Sequence, residues 1–206
     1  MVIRTHDLIE VSSLSCLRSE EVPMWAAASL KQTPFVVGRR AEPLQDGSIP
    51  VGIRGTERNQ RHAAFLAPQG IGRSITPYEI TERRMWTALS AERQGLPVSK
   101  IMDRVAELMR DWQWGPTGSA GFEMVTGYPA MKETSDLDVV INTPVATDGK
   151  QAEILLCGLD KLGVRIDIQL EAPEGAYILR ELVGRRADTV MLRTAQGPRL
   201  VRNPWR

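Results

Sequence analysis

Ser135-Asp136-Leu137-Asp138-Val139-Val140-Ile141 sets two aspartates two residues apart at the head of an apolar run. A strand alternates its side chains between faces, so both carboxylates fall on one face, with Cα atoms roughly 6.5–7 Å apart. Leu137 and Val139 point the other way, into a core. Two such carboxylates repel unless a cation lies between them, and hard oxygen ligands favour magnesium where substrate phosphates complete its shell. The same pair also reads as a solvated loop capping a strand.

Downstream, Val164-Arg165-Ile166-Asp167-Ile168-Gln169-Leu170 alternates again. Arg165, Asp167 and Gln169 share one face; Ile166 and Ile168 share the other. On a neighbouring strand, Asp167 could reach the same metal or accept a proton from an attacking hydroxyl, or it is a surface residue. Upstream lies Trp114-Gly115-Pro116-Thr117-Gly118-Ser119-Ala120-Gly121. Glycine lets backbone N–H groups approach a phosphate, and Ser119 adds a hydroxyl donor.

The pattern around these motifs predicts the rest. A helix starts at Thr76-Pro77, with Glu79 completing a capping box and Ile75 stapled to Ile80. A second helix covers about 99–112, its face formed by Ile101, Val105, Leu108 and Trp112. Strands follow at Phe122–Thr126 and Leu137–Thr143. A helix near 148–162 carries an Ala152, Leu155, Leu156, Leu159, Leu162 stripe. Val164–Leu170 is a strand, 174–183 a short helix, and Thr189–Arg193 a last strand. This order reads as a mixed sheet with packed helices.

Before residue 70 the signals are strand-like: Phe35-Val36-Val37, Ile49–Arg54 and Ala63–Leu66, with a short helix at 22–31. The turn formers of Pro68–Ser74 read as a linker. The expectation is therefore an α+β chain in two parts: residues 1–70 form a small α+β or mostly β module, and 75–206 the catalytic domain.

At 206 residues the chain is long enough to bury a real core. A net charge of +1 gives no global field, which argues against bulk binding to nucleic acid or an anionic membrane. No apolar run is long enough to span a bilayer, and the start lacks a secretory pattern. Cys16 and Cys157 have no neighbours at metal spacing and read as free thiols of a cytoplasmic protein.

The Gly-Ser turn, the Asp-x-Asp strand and the later Asp167 strand, in that order, resemble nucleotidyltransferases of the polymerase-β type. That resemblance implies phosphate binding by Gly118 and Ser119, magnesium at Asp136 and Asp138, and Asp167 as the third acid. It departs at Thr117, where an apolar residue is usual, and in the sixteen residues, 120–135, between Ser119 and Asp136.

A wider set matches more specifically. It includes His6-Asp7-Leu8, Val51-Gly52-Ile53-Arg54-Gly55, Arg58-Asn59-Gln60-Arg61 and Trp114–Phe122. Thr134–Asp138, Asp167–Glu171, Leu192-Arg193-Thr194 and Gly197–Val201 complete it. Together these resemble the malonate decarboxylase holo-acyl-carrier-protein synthases, the phosphoribosyl-dephospho-CoA transferases. The resemblance implies a triphosphoribosyl-dephospho-CoA donor, a serine of the apo acyl carrier subunit as acceptor, and pyrophosphate release.

Under that reading Arg54, Arg58 and Arg61 clamp the triphosphate; otherwise they form a solvated basic strand edge. Arg193 and Arg199 carry the same ambiguity. His6 and His62 read first as packing residues, and Trp86, Trp112 and Trp114 as core, with Trp114 alternatively lining a donor pocket. Three other functions remain open: the same transfer onto the citrate lyase carrier, a nucleotidyltransferase using an ordinary nucleotide, or a non-catalytic binding module.

Overall fold

The computed structural model describes residues 2–57, 59–143, 149–183 and 188–205. The chain forms two compact units, Met1–Thr76 and Pro77–Arg206.

Unit 1 contains β1 (Leu8–Val11), β2 (Leu17–Arg18), α1 (Met24–Gln32), β3 (Phe35–Gly38), β4 (Ile49–Arg54), β5 (Arg61–Leu66) and β6 (Ile71–Ile75). They make one antiparallel sheet in the order β2-β5-β4-β3-β1-β6. α1 presents Ala26 and Leu30, one turn apart, to a core of Ile9, Val11, Val36, Val51, Ile53, Ala64 and Leu66. The helix stops where Thr33 turns extended before Pro34, a residue that disfavours helix in its predecessor.

The segment 68–74 is not a linker. After a 3₁₀ turn at Pro68–Gly70, β6 pairs antiparallel with β1. Its glycine has a packing reason: a Cβ on Gly72 would come 2.8 Å from the Glu10 carbonyl oxygen.

Unit 2 begins with α2 (Pro77–Glu82), α3 (Ala91–Gln94), α4 (Pro97–Leu108), β7 (Trp114–Pro116) and α5 (Gly118–Thr126). It continues with β8 (Leu137–Asn142), α6 (Gly149–Leu159), β9 (Ile166–Ala172), β10 (Gly175–Ile178), α7 (Leu179–Val183), β11 (Thr189–Thr194) and β12 (Gly197–Arg202). The sheet order is β12-β11-β10-β9-β8-β7, antiparallel except for the parallel pair β8–β9. The fold class is α+β, with two sheets and several helices.

Four sequence expectations change here. Phe122–Thr126 is helix, not strand: Ala120, Gly121, Phe122, Glu123 and Met124 are consecutive buried positions of α5. A continuous apolar run of that length carries no period to separate strand from helix. Residues 174–183 split into β10 and α7, because Gly175 takes φ +149° and turns the chain back beside β9. β12 extends the sheet beyond the last expected strand. In α4 the deepest line is Val98, Met102, Val105 and Met109, about one residue around from the expected face. The α6 stripe holds at Ala152, Leu155, Leu156 and Leu159, all buried, whereas Leu162 falls in the 3₁₀ turn after the helix and is half-buried.

Candidate active site

The acidic residues of unit 2 converge where β8 begins. Asp138 is the second residue of β8, and its partner across the parallel ladder is Asp167. Partners in register project to the same face, so the two carboxylates lie side by side. On the opposite face Leu137, Val139, Ile141, Ile166, Ile168 and Leu170 are all buried, which fixes the register of both strands. Asp136 stands one residue before β8 and, like Asp138, is half-buried.

The start of α5 lies against this strand. The Thr117 N–H donates to the Asp138 carbonyl oxygen at 2.8 Å. Gly118, the first helical residue, has φ +59°, and a Cβ there would collide with Asp138 Oδ2. Only glycine allows this close approach of helix start and carboxylate. The Thr117 side chain makes no capping bond. An α-helix N-terminus favours an anion through its unsatisfied N–H groups and its dipole. Gly118 and Ser119 therefore open a helix, not a turn before a strand, and that helix points its positive end at the acids.

Asp167 is engaged by a cation. Arg165 Nη2 lies 2.9 Å from Asp167 Oδ2, and Nε and Nη2 each donate to Oδ1 at 3.2 Å. These bonds hold the Arg165 guanidinium above its ordinary pKa, and Asp136 adds a weaker Coulombic pull in the same direction. Among the described residues, no group of three His, Cys, Asp or Glu side chains is placed to hold a metal ion.

The sixteen residues between Ser119 and Asp136 have a structural job. Glu123, only 1% exposed, is bonded by Arg93 Nε at 2.5 Å and Nη2 at 2.8 Å. Glu123 Oε2 also accepts the N–H groups of Ala130 at 2.8 Å and Met131 at 2.7 Å. Arg93 Nη2 in turn donates to the Met131 carbonyl oxygen at 2.7 Å. One buried ion pair thus ties α3, α5 and the loop that delivers Asp136. Sequence reasoning missed it; the signal was a lone Glu within the apolar run 120–125, since a charge there must be paired.

Other singled-out residues serve packing. Trp114 is buried and stacks on Trp86 with centroids 6.5 Å apart, so it belongs to the core. Asp7 is buried and accepts the Arg4 N–H at 2.8 Å, which makes His6-Asp7 a turn-building pair. His62 Nε2 meets Ser19 Oγ at 2.7 Å, with its ring edge-on to Trp25. Arg193 lies 3.9 Å from Glu181.

Arg54 and Arg61 are paired in register at the loop end of the β4–β5 hairpin in unit 1. β4 is an interior strand, so protecting an edge does not explain Arg54. Arg61 Nη1 donates to the Gln60 and Glu57 carbonyl oxygens at 2.9 and 3.3 Å, which closes the hairpin loop. Arg58 lies outside the described residues.

Both units match family models. Residues 4–77 match the phosphoribosyl-dephospho-CoA transferase MdcG N-terminal domain and residues 85–204 the MdcG C-terminal domain. The chain belongs to the phosphoribosyl-dephospho-CoA transferase family. Relatives of that name occur in Pseudomonas syringae pv. tomato, 38% identical over 99% of this chain and 94% of the relative. One from Azotobacter vinelandii is 38% identical over 98% and 93%, and one from Klebsiella pneumoniae 33% identical over 98% and 96%. No solved structure matches the chain. Membership of this transferase family covers both units, so the acids of unit 2 and the hairpin of unit 1 belong to one enzyme type. Among the described residues, no helix is long and apolar enough to cross a membrane.

Proposed function

We propose that the chain transfers the 2′-(5″-triphosphoribosyl)-3′-dephospho-CoA group to a serine of the apo acyl carrier subunit of malonate decarboxylase. The chemistry is that of a nucleotidyltransferase. The observation that carries this reading is Asp138: it lies in register with Asp167 and against the glycine that opens α5.

The donor's triphosphate sits at the N-terminus of α5, where Gly118, Ser119 and the helix dipole favour its charge. The carrier serine attacks the α-phosphorus. An Oγ–P bond forms, and the bond from that phosphorus to the oxygen bridging to the β-phosphate breaks. Pyrophosphate leaves with the electron pair, and a phosphodiester remains. Asp167 accepts the hydroxyl proton, since a serine hydroxyl is a poor nucleophile at neutral pH.

Asp136 and Asp138 would hold magnesium. Two carboxylates beside a phosphate site are the donor set this ion takes from protein when substrate oxygens supply the rest. When bound, the ion neutralises charge on the transferred and leaving oxygens.

The test is intact-mass spectrometry of apo malonate decarboxylase carrier and apo citrate lyase carrier, each incubated with donor, magnesium and the chain. The expected gain on the malonate carrier is the donor mass less pyrophosphate. A gain on the citrate lyase carrier alone would move the assignment there. Asp136→Ala or Asp138→Ala is expected to slow transfer by roughly 10²–10³-fold without unfolding the chain. Full activity in either variant would sink the reading.

A further inference from the structure

Arg165 is the cation built into the acidic face. Its backbone carbonyl accepts the Leu137 N–H at 2.9 Å, so the start of β9 is fixed beside the start of β8. Its guanidinium grips Asp167 yet is 74% exposed, against 31% for the carboxylate. Asp136 adds a weaker Coulombic pull on the same guanidinium. Arg180 is already bonded to Asp160.

We propose that Arg165 is a phosphate-binding residue of this site, holding Asp167 while the donor is absent and exchanging it for the donor's triphosphate. The inference rests on the proposed transfer reaction and adds a ligand contact and an order of events to it. Three carboxylates face the incoming triphosphate, and one divalent ion offsets only part of that charge. Among the described residues, Arg165 is a cation already placed on that face, paired with Asp167. An exposed ion pair is only weakly stabilising, so leaving Asp167 costs little. A guanidinium fork on phosphate makes paired charge-assisted bonds that more than replace it. The exchange also frees the Asp167 carboxylate at the moment the carrier hydroxyl needs an acceptor for its proton. Donor binding would in this way arm the base.

The decisive variant is Arg165→Met, which keeps the aliphatic stem and removes the charge. Two titrations on the full chain read it: Mn²⁺ alone by electron paramagnetic resonance, and pyrophosphate in the presence of Mn²⁺ by calorimetry. Loss of the fork is expected to weaken pyrophosphate about 10- to 100-fold. Removal of the competing cation is expected to tighten Mn²⁺ about two- to fivefold. Arg165→Lys should recover part of the pyrophosphate affinity, as a point charge without the fork. Pyrophosphate affinity unchanged in Arg165→Met, with a wild-type thermal transition, would overturn the proposal. Failure of the site itself reads differently: Asp138→Asn would then leave Mn²⁺ binding untouched.

Discussion

Each unit is built on a six-stranded sheet, and the two sheets use their faces differently. In unit 1 every pairing is antiparallel, and its main ion pairs, Arg18–Asp46 and Arg73–Glu10, are exposed at the rim. In unit 2 one pairing is parallel, β8 with β9, and the acids sit at the head of that pair. Antiparallel neighbours bring the start of one strand to the end of the next. Parallel neighbours align two starts, so acidic residues near both beginnings meet on one face. The carboxylate cluster of unit 2 is a direct product of that one change in direction.

Ion pairs give the strongest way to break the comparison. Glu123→Gln leaves Arg93 with a buried side opposite a neutral group and frees the loop at Ala130 and Met131. Removing one partner of such a pair costs about 3–5 kcal/mol. The same change at Glu10, 42% exposed and 3.7 Å from Arg73, should cost about 1 kcal/mol or less. Urea titrations of the two variants measure both. Equal losses would mean that the Arg93–Glu123 tie carries no special load.

A second, smaller contrast uses two glycines of α5. Gly118 and Gly127 both have positive φ, +59° and +73°. Alanine in that backbone region costs about 1–3 kcal/mol at either position. A Cβ on Gly127 meets nothing within 4 Å, whereas one on Gly118 strikes Asp138. Gly127→Ala should therefore lose stability alone, and Gly118→Ala stability together with transfer. Measuring melting temperature and initial rate for both separates backbone strain from damage to the site. Gly118→Ala with normal rates would detach the helix start from the chemistry.

Much of this was legible because alternation around a buried face is written residue by residue. Leu137, Val139, Ile166 and Ile168 needed a core, so Asp138 and Asp167 had to share the other side. α5 was not legible, because the run 120–125 is apolar apart from one charge, Glu123, and that charge is neutralised by a residue thirty positions earlier. β6 was hidden by turn formers, among them Gly72, which serves close approach to the Glu10 backbone. β12 was hidden because its residues are mostly exposed and its place depends on β11 alone.

The smallest expected effect lies next to the site. Arg180 bonds Asp160 and holds its carboxyl below the usual carboxylate value of 3.8. A carboxylate with a lowered folded pKa adds stability above its unfolded value and loses it as pH falls through the folded one. Both side chains are about half exposed, so solvent screening limits the gain to about 0.5 kcal/mol. Wild type and Asp160→Asn should then differ by a constant small margin from neutral pH to about pH 5. The margin should close at lower pH, as Asp160 protonates. Arg180 has a Coulombic link to Asp167 as well, so releasing it from Asp160 adds positive charge near the acids. If Asp160→Asn tightened pyrophosphate binding while costing little stability, Arg180 would join Arg165 as a cation the donor can recruit. An unchanged affinity would confine that recruitment to Arg165.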